Sequence, residues 1–373
     1  MNKEPLDISK MLPHGEMLRG FLEQPFIQKS DLKEMLRNRG VFTFNSEKSD
    51  SIPIIMMGIL SPTEFNFLCE SQKTREDNPK KITQTVAWTS NKPLLDALPD
   101  NIDINKMIDI EHANYKVVDD TGFVPVDGNP DHLRLDFGVE RTDLSKNWSS
   151  TKNHFNGVIE LKRVVDKGEI KLIVTHTSNE TKLVANKATS QLVNKFKDNG
   201  HIARDQEIQK ITFDRFSNAK RIEFFLELSV EITSNYLSFQ EIVDLELSPD
   251  HEQTLPQDMQ WMTDKINDLK LNGKLLHETF FVNEKHNHEF TFLYKVDARY
   301  GFDVSGVNGA CVITMHFPEY SRTKNGKSEL EINIKSISFE NSPRSITKNE
   351  IKEILLDDLE GQKSEKYANY ATI

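Results

Sequence analysis

The stretch Glu169-Ile170-Lys171-Leu172-Ile173-Val174-Thr175-His176 alternates with a period of two and runs straight into Thr177-Ser178-Asn179-Glu180, the pattern of a capping box. The first block predicts a strand. The second opens a long helix with Leu183, Val184, Leu192, Val193 and Phe196 on its apolar side and Asn199-Gly200 as its stop. Strand-like runs at 82–88, 132–139 and 157–165 precede this switch, so the centre of the chain reads as a mixed α/β unit.

Upstream, 12–72 reads as helical. Ser30 is placed as the N-cap of a helix with Leu32, Met35 and Leu36 at helical spacing, and Gly40 supplies a left-handed stop. A second helix is expected from Asp50 and Ser51 to the region of Leu60, with Pro53 in its first turn. Ser61-Pro62-Thr63-Glu64 gives a further capping box with proline at the first helical position. The charged, turn-rich 73–81 then marks a boundary.

Downstream of 205 the expectations are a helix at 220–228, a loop at 245–256 and a helix at 257–269 with Trp261 and Ile266 facing inward. A β meander follows, with strands at 274–282, 289–296, 310–317 and 329–339. A capped helix at 347–359 and a polar tail at 361–373 complete it. The predicted class is α+β in three parts. These are an N-terminal helical module over 1–80, SAP-like or winged-helix-like, a central mixed α/β unit over 81–204, and a meander-rich α+β unit over 205–373.

A length of 373 residues suits several domains, and 37% hydrophobic with 28% charged residues describes a folded, water-compatible protein. The net charge of −11 opposes a surface that clings to nucleic acid throughout, and leaves room only for a local basic face. Cys69 and Cys311 form no CxxC pair, so neither a disulfide framework nor a cysteine zinc site is encoded, and a cytoplasmic location is expected. No secretory leader or membrane-length apolar run is read, so no membrane partner is expected.

The helix of 30–40 and the apolar helix after Asp50 resemble the SAP motif of DNA- and chromatin-associated proteins. Lys33 and Arg37 lie one turn apart and Arg39 projects at the helix end, so the three cations suit adjacent phosphates. A helical hairpin with a solvated basic face satisfies the same pattern. The second helix, Ile52-Pro53-Ile54-Ile55-Met56-Met57, lacks the basic residues a SAP module presents there and equally suits a partner-binding surface. Lys182, Lys187, Lys195 and Lys197 on the helix after Thr177, with its free first-turn amides, form a second candidate phosphate face, which Lys220 and Arg221 would extend.

Val158-Ile159-Glu160-Leu161-Lys162 puts Glu160 and Lys162 on one face of a strand. With Asp131 or Asp136 upstream, this resembles the PD-(D/E)xK nucleases. That resemblance implies two carboxylates, Asp136 and Glu160, holding Mg²⁺ and a lysine orienting the attacking water. A solvent-facing ion pair is the structural alternative. His286-Asn287-His288 spells HNH but sits in an expected hairpin turn and is given no catalytic weight, while His112, His132, His154, His176 and His277 show no metal-ligand spacing and are assigned structural roles. No nucleotide-binding loop or nucleophile elbow occurs.

The order of Met11-Leu12-Pro13-His14-Gly15-Glu16-Met17-Leu18-Arg19, the helix ending at Gly40, Leu60-Ser61-Pro62-Thr63-Glu64-Phe65 and Glu76-Asp77-Asn78-Pro79-Lys80 resembles the second component of two-gene bacterial antiphage systems of the GAPS class. That resemblance implies a subunit that binds DNA or a phage-derived trigger and complexes with a nuclease partner encoded by a neighbouring gene, in a homo- or hetero-oligomer. The leading expectation is therefore a non-catalytic nucleic-acid-binding and partner-binding subunit without a firm cofactor. A Mg²⁺-dependent nuclease and a pure scaffold are the alternatives.

Overall fold

The computed structural model describes residues 12–23, 27–44, 47–76, 78–99, 104, 115–142, 152–263, 266–341 and 346–370. Four helices open it: α1 Gly15–Leu22, α2 Lys29–Asn38, α3 Lys48–Met56 and α4 Pro62–Glu76. They close on a core of Leu18, Phe21, Leu22, Leu32, Met35, Leu36, Ile52, Ile55 and Leu68. The stop at Gly40 is as read, with φ of +76°, and the amide of Val41 reaches back to the carbonyl of Leu36 at 2.8 Å.

The entry to α2 differs from expectation. Gln28, not Ser30, is its N-cap, because Asp31 at the third helical position accepts the Gln28 N–H at 2.9 Å in a reciprocal capping box. α3 also starts earlier than expected, at Lys48, and ends at Met56, so Pro53 lies beyond its first turn. The Ser61–Glu64 box of α4 is present as read, with Ser61 N–H donating to Glu64 at 2.8 Å and Glu64 N–H to Ser61 Oγ at 3.2 Å. α4 continues to Glu76 through part of the expected boundary. Asp77 and Met11 lie outside the described residues.

The remainder is built on one sheet. Its strands are β1 Lys80–Ala87, β2 Tyr115–Val118, β3 Val124–Val126, β4 Asn129–Thr142, β5 Lys152–Val164, β6 Glu169–His176, β7 Gln209–Lys210, β8 Leu237–Pro249, β9 Leu269–Asn272, β10 Thr291–Val304, β11 Val307–His316 and β12 Glu331–Phe339. The order is β2-β4-β5-β6-β1-β12-β11-β10-β8-β9, with β3 on β4 and β7 on β1. β1 is the seam. It pairs with β6 along its whole length but meets β12 only at Lys80↔Asn333 and Lys81↔Ile332, after which β7 takes over that edge.

Six further helices complete the described elements: α5 Leu94–Ala97, α6 Asn179–Asp198, α7 Asn218–Ser229, α8 Phe280–Asn283, α9 Pro318–Thr323 and α10 Lys348–Tyr370. α6 lays Val184, Ala185, Ala188, Leu192, Val193 and Phe196 on Leu133, Leu135, Ile159, Leu161, Leu172 and Val174, which all project from one face of the sheet. A separate core forms around α7, α10 and strands β8 to β12. The architecture is therefore α+β, with an N-terminal helical stretch, a central mixed region and a strand-rich C-terminal unit. Two cores lie along the sheet, which runs through both.

Several C-terminal expectations are corrected. The 245–256 region is not a loop in its first part, since β8 pairs with β10 from Leu237↔Phe302 to Pro249↔Thr291. Among the described residues of 257–269 there is a 3-10 turn, Gln260–Met262, in place of the expected helix; Met262 and the preceding Met259 are buried and Trp261 is 50% exposed. The 274–282 stretch is not a strand, because Leu275 adopts a left-handed φ of +52° that interrupts an extended run. Short helical turns, including α8, follow. The described part of the expected polar tail, 361–370, is the end of α10, while 371–373 lie outside the described residues: Tyr367 packs on Phe216 and Phe224 at 5.4 and 6.1 Å, Tyr370 on Phe224 at 5.9 Å, and Lys363 is buried against Glu360.

Candidate functional site

On α2 the apolar residues face the module core and Lys33 and Arg37 stand exposed, one turn apart. Arg39 does not join them. Its guanidinium grips the Glu64 carboxylate, with Nη2 to Oε2 at 2.8 Å, and donates to the Ile59 carbonyl at 3.1 Å. The hydrogen bond from Arg39, helped by the Ser61 donors, holds the Glu64 carboxyl down to about 2. Arg39 therefore bolts the end of α2 to the N-terminus of α4, which reduces the expected three-cation face to two.

Beside that pair the chain turns its apolar residues outward. Phe42 and Phe44 flank the half-buried Thr43 and are exposed, as are Val41, Met57 and Ile59. A groove of about 650 Å³ lies alongside, lined by Arg19, Glu23, Lys48, Ile52, Pro53 and Met57. Ile52 and Ile55 go into the core, so the apolar character of α3 is only partly a surface property.

The second expected phosphate face is largely closed. Lys182 lies between Glu319 and Glu331 at 2.7 Å from each. Burial would lower its pKa, but the two carboxylates outweigh that and raise it. Burial likewise opposes ionisation of Glu331, yet His176, Lys182 and His316 hold its carboxyl well below the usual range. This cluster joins α6 to β12 and α9. One first-turn amide of α6 is also occupied, since Ser178 Oγ accepts the Thr181 N–H at 3.2 Å, and the Glu180 side chain pairs with Arg141. Lys187 is exposed on the outer side of α6, and Lys195 and Lys197 are half-buried near its end. Arg221 is absent from any such patch. It is buried over the Phe213 ring at 3.5 Å and burial pushes its pKa down to about 9.

Glu160 and Lys162 do share a face, as period two requires, and both line a cleft of about 440 Å³ roofed by Asp357, Glu360 and Gly361 of α10. Lys171 and Thr83 line it from β6 and β1. The upstream acids are used differently. Asp131 projects from the opposite face, where it accepts the Leu94 N–H at 3.0 Å and pairs with Arg163 at 3.5 Å. Asp136 is on the Glu160 face but is clasped by Arg134 at 2.9 Å, and the same guanidinium reaches Glu160 at 4.0 Å. His132 Nε2 lies 3.1 Å from Glu160.

One guanidinium thus supplies to Asp136 and Glu160 the charge compensation that a shared divalent ion would otherwise give. Among the described residues, the set of three possible ligand groups whose atoms come within 4.8 Å of one another is elsewhere, at Asp258, Glu284 and His286. His112 lies outside the described residues. The alternation of β4 shows in the sequence that Asp131 and Asp136 face opposite ways; the Arg134 clasp leaves no such trace.

These features define an α+β protein with a separate N-terminal helical module, whose outer side carries two cations and an apolar edge. Residues 16–78, which make up that module, match the family model described as the GAPS4b protein N-terminal domain. No curated protein and no solved structure matches the chain. Among the described residues, no helix is long and apolar enough to cross a membrane.

Proposed function

We propose that this chain is an interaction subunit of a GAPS-type antiphage system, docking on nucleic acid and on a nuclease partner encoded by a neighbouring gene, and that it cuts nothing itself. The observation that carries this reading is the coincidence of the GAPS4b N-terminal match with a region that turns two exposed cations and several large apolar side chains outward. Lys33 and Arg37 give the phosphate contacts, and Phe42, Phe44, Met57 and Ile59 give the apolar contact with the partner. The test is duplex-DNA binding by the full chain, alone and with the neighbouring gene product. Charge reversal at Lys33 and Arg37 weakens binding and lowers the salt slope by about 2. Binding with an unchanged slope removes the docking role.

A second reading, a cytoplasmic Mg²⁺-dependent nuclease using Asp136 or Asp131, Glu160 and Lys162, draws on the shared cleft of Glu160 and Lys162. It requires that Glu160→Gln and Lys162→Ala each abolish cleavage by the purified chain. A pure scaffold predicts a stable complex with the neighbouring gene product and neither DNA binding nor cleavage.

A further inference from the structure

We infer that Asp258, Glu284 and His286 form a zinc-class metal site that clips the loop after β8 to the helical segment before β10. His286 Nε2 stands 3.5 Å from Glu284 Oε2 and 3.7 Å from Asp258 Oδ2, and one atom from each of the three comes within 4.8 Å of the others. Those separations are long for charge-assisted hydrogen bonds, which run to about 2.7–2.9 Å. The two histidine–carboxylate separations approach the edge of a zinc tetrahedron, where bonds of about 2.0–2.2 Å place neighbouring ligands about 3.3–3.6 Å apart, and the two carboxylates come within 4.8 Å of each other. An octahedral Mg²⁺ shell has edges of about 2.9 Å and takes oxygen ligands, which fits neither the spacing nor the imidazole.

The surroundings hold Asp258 and the turn that carries His286 in place. Asn287, fully buried, donates to Asp258 Oδ2 at 2.9 Å and to the Phe280 carbonyl at 3.3 Å. His288 is buried and its Nε2 meets the Val282 carbonyl at 2.8 Å, so the residues after His286 anchor the turn while His286 itself points out. The two segments are already docked by Asp250 N–H to the Phe290 carbonyl at 2.9 Å and by Gln253 to the Glu289 carbonyl at 3.2 Å. The ligands therefore need little reorganisation, and because all three are exposed, the fourth position is open to water.

The test is calorimetric titration of the EDTA-stripped full chain with ZnCl₂ and, separately, MgCl₂. One equivalent of Zn²⁺ binds, Mg²⁺ does not compete for it, and Co²⁺ gives the intense visible band of a tetrahedral site. His286→Ala weakens Zn²⁺ binding by at least about tenfold, with an unchanged circular dichroism spectrum. His154→Ala, at an exposed histidine on the central unit, leaves it unaltered. Failure of the wild type to bind Zn²⁺, retention of binding in His286→Ala, or loss of it in His154→Ala overturns the assignment.

Discussion

Replacing Glu64 by Gln separates the structural use of Arg39 from any use in holding phosphate. The carboxyl sits at about 2 against an ordinary 4.5, a difference worth about 3 kcal/mol before screening. The Arg39 and Glu64 side chains are 24% and 23% exposed, and solvent screening brings the figure to about 2 kcal/mol, a factor of about 30 in the opening equilibrium of the module. Gln keeps an oxygen for the Ser61 N–H but turns an amide N–H₂ toward Arg39 Nε, so the change removes the charge together with one acceptor of the fork. Because the folded pKa lies below the unfolded one, the contribution is complete above about 4.5 and is lost as the pH falls toward about 2. Hydrogen exchange of peptides from α2 and α4, compared between wild type and Glu64→Gln in the full chain, reads this directly. Exchange in the variant is about 30-fold faster at pH 7, and more than half of the effect in free-energy terms is gone by about pH 3. Equal protection at pH 7, or a difference undiminished in acid, refutes the reasoning.

Lys182→Ala leaves the buried Glu331 without its ammonium and destabilises the central and C-terminal units by about 3–5 kcal/mol; urea unfolding followed through Trp88, packed on Phe196 and His201, measures it, and a change within about 0.5 kcal/mol contradicts the role assigned to that cluster. Met57→Glu with Ile59→Glu leaves the fold intact, since both side chains are already in solvent, and breaks co-purification with the neighbouring gene product; a complex that survives places the interface elsewhere. Arg39→Glu lowers the stability of the module, whereas Lys33→Glu with Arg37→Glu does not, and thermal melts of the two variants distinguish a bolt from a docking face.

What was legible in the sequence follows how local each signal is. The Ser61–Glu64 box, the stop at Gly40 and the alternation of β1, β4, β5 and β6 are set by neighbouring residues, and each is where it was read. The α+β class follows from the same signals. The missed features depend on distant partners. Tyr367 and Tyr370 look like a polar tail until Phe216 and Phe224 are placed beneath them. Arg39, Lys182 and Arg221 look like phosphate ligands until Glu64, Glu331 and the Phe213 ring are found to occupy them. Near the candidate nuclease strand, Arg134 is unremarkable by spacing, yet its contacts with Asp136 and Glu160 decide how those carboxylates are used. A strand pattern fixes which face a residue takes, and not what it meets there.

The N-terminal module is the surface proposed to dock. Fluorescence anisotropy of labelled duplex DNA over a series of salt concentrations, with the full chain and its neighbouring gene product, measures this most directly. Binding is expected to be steeply salt-dependent, weakened by Lys33→Glu with Arg37→Glu and unchanged by Glu160→Gln; binding lost with Glu160→Gln and kept in the Lys33, Arg37 variant contradicts the docking role.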